Sequence, residues 1–205
     1  MDRFARLVAL AAAVDRRDDE AIRAAAAELL REDGAEAVRE LLRQVHLFRG
    51  FPRVVHALGV VAGLLPATDP ADAAPDPADA GGTCGLRGEA LFRELYGPDA
   101  DRVLPHLRRL DPVFSAWVLD HAYGRVMQRE VLPLVERERL AVLLLASDAC
   151  WKQWDSHARI CLRLGVPRTT LEADLEGAAW LDADQLARAR GGLDGLDVPG
   201  PGGKA

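Results

Sequence analysis

A chain of 205 residues with 49% hydrophobic content can bury a core without staples, and its three cysteines (Cys84, Cys150 and Cys161), odd in number and without paired spacing, exclude a secreted disulfide framework. The net charge of −6 is spread through acidic and basic residues mixed along the chain, which excludes the basic stripe a nucleic-acid partner requires. No apolar run approaches the roughly 18 residues that span a bilayer, and Met1-Asp2-Arg3-Phe4 opens no secretory leader. The expectation is therefore a cytoplasmic protein with neither a nucleic-acid nor a membrane partner.

Residues 4–14, FARLVALAAAV, suit a buried helix, and Asp18-Asp19-Glu20 puts anions at the start of a second, AIRAAAAELLRE. Gly34 interrupts the pattern. AEAVRELLRQVHLF resumes it with Val38, Leu41, Leu42 and Val45 at helical spacing, and Gly50-Phe51-Pro52 breaks it again before RVVHALGVVAGLL. Residues 66–85, with four prolines and almost no large apolar side chain, read as a flexible linker. Helices resume in GEALFRELYG and DADRVLPHLRRL, and Asp111-Pro112 supplies a cap and a first-turn proline for a helix over residues 113–128. Residues 140–146 are apolar on every side, as in a helix enclosed by the core. WKQWDSHARICLRL follows, ended by Gly165, and Thr169-Thr170-Leu171-Glu172 has capping-box spacing. Beyond Gly191 the Gly/Pro-rich sequence reads as a disordered tail. No stretch alternates with period two, so no sheet is expected. A weak internal repeat relates RLVALAAA at Arg6 to RLAVLLLA at Arg139.

The residues with chemical potential cluster in the second half as Glu138-x11-Cys150-x2-Gln153-x3-His157. Taken singly, each has a plain structural reading. Glu138 suits the anion-favouring first turn of a helix between two arginines, Cys150 and Cys161 suit small buried positions, Cys84 falls in the linker, and Trp151, Trp154 and Trp180 suit packing. His46 and His56 could line a pocket from the first half but are not spaced as metal ligands, and no metal is expected.

Taken together, the pattern resembles the Glu…Cys-x-x-Cys-x3-His signature of alkylhydroperoxidase D-like proteins, with Gln153 where the second thiol would stand. Tyr123-Gly124, Arg129 and Arg137-Glu138-Arg139-Leu140 resemble the run preceding the buried helix in the carboxymuconolactone decarboxylases, which share the Glu and His without depending on thiols. Residues 39–58, RELLRQVHLFRGFPRVVHAL, are similar to the segment that follows the His helix in the same family.

The resemblance implies an all-α helical bundle built from two such repeats: residues 1–65 a degenerate first repeat, 66–85 the linker, 86–190 a second repeat carrying the site, and 191–205 the tail. Arg17 and Ala24 fall near the Cys150 and His157 positions of the first repeat, so its chemistry is erased and one site per chain is expected. The implied activity is a cofactor-free carboxy-lyase acting on a small carboxylated lactone. His157 would shuttle the proton, Glu138 would orient it, Cys150 would stand at the motif, and Arg129 or Arg137, with Tyr123, would hold the substrate. The resemblance also implies a homo-oligomer, a trimer of two-repeat chains. A peroxidase using Cys150 and a non-catalytic helical scaffold are the alternatives, the first weakened because a dithiol cycle needs a second sulfur nearby.

Overall fold

The computed structural model describes residues 1–67 and 83–196, so residues 68–82 of the expected linker and 197–205 of the expected tail lie outside the described residues. Among the described residues every regular element is helical, and the protein is all-α. Its contacts separate two compact units, Met1–Pro66 with Val131–Ala205, and Ala67–Glu130. This division crosses the expected one, which kept residues 86–190 together. The helix spanning the apolar run at 140–146 needs cover on every side, and it takes part of that cover from the N-terminal third of the chain.

In the first unit, α1 (Arg3–Arg16) and α2 (Asp19–Asp33) form a hairpin. The Asp2 carboxylate caps α1 by accepting from the Ala5 amide at 2.8 Å, and Asp18 caps α2 by accepting from Ala21 at 3.0 Å. Such caps stabilise a helix by about 1 kcal/mol each. Helix α3 (Ala35–Val61) is two helices joined at Gly50, whose φ of 73° only glycine adopts without strain, and Pro52 opens the second piece. Helices α7 (Leu134–Ser147), α8 (Trp151–Arg163), α9 (Arg168–Gly177) and α10 (Ala183–Asp194) complete the unit.

The α7–α8 turn closes like the α1–α2 turn. Arg17 and Asp18 donate to Val14 and Ala13, while Ala149 and Cys150 donate to Ala146 and Leu145, and the left-handed residues are Arg17 (φ 58°) and Ala149 (φ 53°).

Two sequence readings need correction in this unit. The expected capping box at Thr169 is absent: α9 starts at Arg168 behind an extended Pro167, with no side-chain cap. The tail does not begin at Gly191, because α10 runs to Asp194, Leu193 and Leu196 are buried, and a Cβ on Gly192 would meet the ring of the buried Trp154. The last turns of α10 are thus part of the core.

The second unit consists of α4 (Cys84–Tyr96), a short 3₁₀ turn, α5 (Ala100–Leu110) and α6 (Pro112–Trp117), which continues as a π-helical stretch, Val118–Met127. The helix expected over 113–128 therefore widens in its second part. Asp111 caps it as its position suggests, accepting from Val113 at 2.9 Å and Phe114 at 3.0 Å. Cys84, read as linker, is the first residue of α4; it is buried and donates to the Asp120 carbonyl at 3.3 Å. Helix α4 crosses the π stretch at backbone contact: a Cβ on Gly88 would collide with the Leu119 carbonyl, and one on Gly124 with the Cys84 carbonyl. Beside this crossing Phe92 stacks on Tyr96 with centroids 4.0 Å apart and meets Tyr123 edge-on at 5.0 Å, and the Tyr123 hydroxyl donates to that of Tyr96 at 3.2 Å.

The glycine crossing yields a prediction. Gly88→Ala and Gly124→Ala should each lower stability by about 1–3 kcal/mol, because the backbone they meet cannot step aside. Gly191→Ala, exposed on α10 with nothing within 4 Å, should raise it by roughly 0.5–1 kcal/mol. Urea unfolding of the three variants, followed by circular dichroism, measures the contrast.

Candidate functional site

Three consecutive charged residues on α7 point three ways, since successive helical side chains diverge by about 100°. Arg137 turns toward α3, Glu138 toward α8 and Arg139 toward α9. The Arg137 guanidinium, fully buried, donates to Glu40 at 2.7 Å, to Gln44 at 3.1 Å and to the Leu132 carbonyl at 3.2 Å, while Gln44 donates back to the Arg137 carbonyl at 2.7 Å. Arg139 clasps Asp174 with two hydrogen bonds of 2.7 Å and lies 3.6 Å over the Phe4 ring. Arg137, a candidate for holding a substrate carboxylate, instead pairs with a carboxylate of its own chain.

Glu138 is not the surface anion its flanking arginines suggest. It is fully buried, and its Oε2 meets His157 Nδ1 at 2.6 Å. The short α7–α8 turn produces this meeting by folding α8 back along α7, which brings together residues 19 apart in sequence. The imidazole is almost enclosed, and Phe48 of α3 approaches it edge-on with centroids 6.3 Å apart. No partner among the described residues takes His157 Nε2, and Glu138 Oε1 is buried without one. One nitrogen of the imidazole is thus anchored by a carboxylate, and the other is left to meet whatever approaches the ring.

Cys150 is the N-cap residue of α8, seven residues before His157. A thiol at a helix N-terminus is ordinarily acidified. Here burial pushes the Cys150 thiol up, and the Asp148 carboxylate, which accepts from it at 3.4 Å, pushes in the same direction against the weaker pull of Arg49. Cys161 lies within the buried part of α8, where burial, and then the charge of Glu138, hold its thiol well above the usual range. Along the continuous helix the two sulfurs are separated by about 16 Å, outside disulfide reach. Both are free.

The other sequence candidates in the first unit serve other contacts. His46 meets the Arg43 carbonyl through Nδ1 and packs its ring 5.0 Å from that of Phe51. His56 is exposed and pairs with Asp19 at 2.7 Å. Tyr123 and Arg129 belong to the second unit. Trp154 is fully buried, in keeping with packing.

Sequence reasoning missed Phe48 and Arg49, the residues just ahead of the Gly50 break. Arg49 is held by Asp15 and Ser147 and donates to the Leu144 carbonyl at 2.8 Å, fixing α3 against the end of α7. The break itself was the available signal, since a chain that must turn beside a buried helix commonly presents its last helical residues to it. Among the described residues no group of three or more His, Cys, Asp or Glu converges as a metal site would require, and no helix is long and apolar enough to cross a membrane.

No protein-family profile matches the chain, and no solved structure matches it. Over 132 residues, 64% of the chain, it is 28% identical to Peroxisomal protein 2 of Schizosaccharomyces pombe, and the match spans 62% of that protein.

The role of Arg137 is open to direct measurement. Removing one member of a fully buried ion pair strands the other, so Arg137→Ala or Glu40→Ala should cost about 3–5 kcal/mol of stability. The expected result in urea titration is a large loss for both variants. Full stability with only a raised KM would mean that Arg137 holds substrate after all.

Proposed function

We propose that the protein is a cofactor-free lyase of the carboxymuconolactone decarboxylase type, acting on a small carboxylated lactone with His157 as the proton carrier and Glu138 as its anchor. The observation that carries this reading is the buried 2.6 Å bond between Glu138 Oε2 and His157 Nδ1, with Nε2 left unpartnered. In a decarboxylation of this class the carbon–carbon bond to the carboxylate breaks, carbon dioxide leaves, and the electron pair passes into the conjugated lactone. The resulting dienolate then takes a proton at carbon. His157 Nε2 delivers that proton and is recharged from solvent, while Glu138 balances the imidazolium and fixes its orientation. Phe48 helps keep water from the ring.

The two-repeat origin belongs to the same reading and is supported by the matching turns. Arg6 and Ala25 correspond by those turns to Glu138 and His157, and Arg6 is bound to Asp33 at 2.7 Å, so the first hairpin retains neither reacting group. Ala24 and Ala25 line a groove of about 580 Å³ between α1, α2 and the end of α9. Self-association as a trimer of such chains is the assembly the resemblance implies, and a cytoplasmic location belongs to the same reading.

A peroxidase cycle is disfavoured by the missing second thiol at Gln153 and by the upward shift of Cys150. The discriminating experiment assays His157→Ala, Glu138→Gln and Cys150→Ser against carboxymuconolactone and against an organic peroxide. The first two variants should each lose roughly 100-fold or more in lyase turnover, and Cys150→Ser should lose little. Peroxide reduction abolished with Cys150 would replace the lyase by a peroxidase. A wild type inert toward both substrates would favour the scaffold.

A further inference from the structure

Arg139 is fixed from two sides. Asp174 takes its Nε and Nη2 at 2.7 Å each, and its guanidinium carbon lies 3.6 Å from the centre of the Phe4 ring, so the planar group is held in one orientation. Nη1 has no acceptor among the described residues, and it is not sealed from solvent. Arg139 lines the groove of about 580 Å³ between α1, α2 and the end of α9. The groove exists because the side chains that α1 and α2 turn toward it, Val8, Ala9, Ala12, Ala21 and Ala25 among them, are short, while Trp180 beyond α9 adds an aromatic wall.

We infer that the groove is a second binding site, for an uncharged apolar molecule that carries a carbonyl oxygen at one end. Its volume falls within the range of roughly 300–1,000 Å³ typical of small-molecule sites, which are mostly apolar with a few fixed polar groups. Arg139 is such a group, because its free N–H donors are already ordered and an acceptor that meets them costs no side-chain freedom. The carbonyl belongs at the Phe4 end, where Arg139 lies, and the apolar chain belongs along the face from Ala5 to Arg16, which is about 16 Å long. Charge decides against ions. Arg16 and Arg139 share the groove with the carboxylates of Asp2, Glu28 and Asp174, so no excess of positive charge draws an anion, and an ammonium offers Nη1 no acceptor.

This site is separate from the Glu138–His157 pair. Glu138 and Arg139 are neighbours on α7, but their side chains diverge by about 100°, one bonded to α8 and the other to α9. The inference takes nothing from the lyase reading.

The test titrates the full-length protein with the methyl ketones 2-heptanone, 2-nonanone and 2-undecanone by isothermal titration calorimetry, with nonanoate and nonylammonium as charged counterparts. Affinity should rise about two- to fourfold per added methylene, and 2-nonanone should bind more tightly than either ion. Arg139→Lys keeps a cation beside Asp174 but removes the fork, and should weaken ketone binding at least about tenfold. Ala25→Phe fills the groove from a half-buried position without touching the Arg139–Asp174 pair. It should abolish binding while helicity and the urea midpoint are retained, and it reads the site even if Arg139→Lys folds poorly. Absence of ketone binding, equal or tighter binding of nonanoate or nonylammonium, or binding that Ala25→Phe leaves intact would each overturn the inference. Loss of ketone binding in His157→Ala would overturn it by placing the ligand in the other site, and a fall in oligomer mass on Ala25→Phe would do so by giving the groove to a second copy. Lyase assays of Glu138 and His157 variants report on the chemistry separately, so failure of one idea is not failure of the other.

Discussion

Because residues 140–146 are all apolar and all buried, α7 has to be enclosed, and no single neighbour can enclose a helix on every side. The chain meets this demand from both ends: α1 and α3 come from the N-terminal third, and α8, α9 and α10 from the C-terminal third. The three charges ahead of the apolar run make the enclosure specific, since each anchors a different covering helix through Glu40, His157 or Asp174. A hydrophobic surface alone would allow sliding. Charged groups that must find partners in a dry interior permit few alternatives.

The candidate site is a by-product of that enclosure. Glu138 could be buried only against a hydrogen-bonding partner, and the tight α7–α8 turn offers His157. The same turn puts Cys150 at the head of α8, where burial and the neighbouring Asp148 both push its thiol up. The outcome is a carboxylate–imidazole pair enclosed in the core, with one imidazole nitrogen without a partner among the described residues.

The second unit is organised by different physics. Its helices approach to backbone contact at Gly88 and Gly124, and its aromatic residues Phe92, Tyr96 and Tyr123 pack together beside the crossing. Tyr123-Gly124, read in the sequence for its resemblance, therefore has an architectural meaning of its own: the glycine permits the crossing and the tyrosine seals it.

The sequence by itself determined the all-helical class, the break at Gly50, the Asp111 cap and the enclosed helix at 140–146, because each depends on side-chain periodicity, caps and φ preferences acting over a few residues. It also singled out Glu138 and His157, whose 19-residue separation is bridged by one short turn. It could not distinguish the three charges of Arg137-Glu138-Arg139, since their fates depend on partners 97, 19 and 35 residues away. Only the tertiary structure decided that Arg137 is an internal strut, that Phe48 approaches His157 and Arg49 pins the end of α7, that the last turns of α10 belong to the core, and that residues 131–196 join 1–66. Those outcomes follow from burial and charge pairing between distant segments, and local patterns carry no record of which distant segment will arrive.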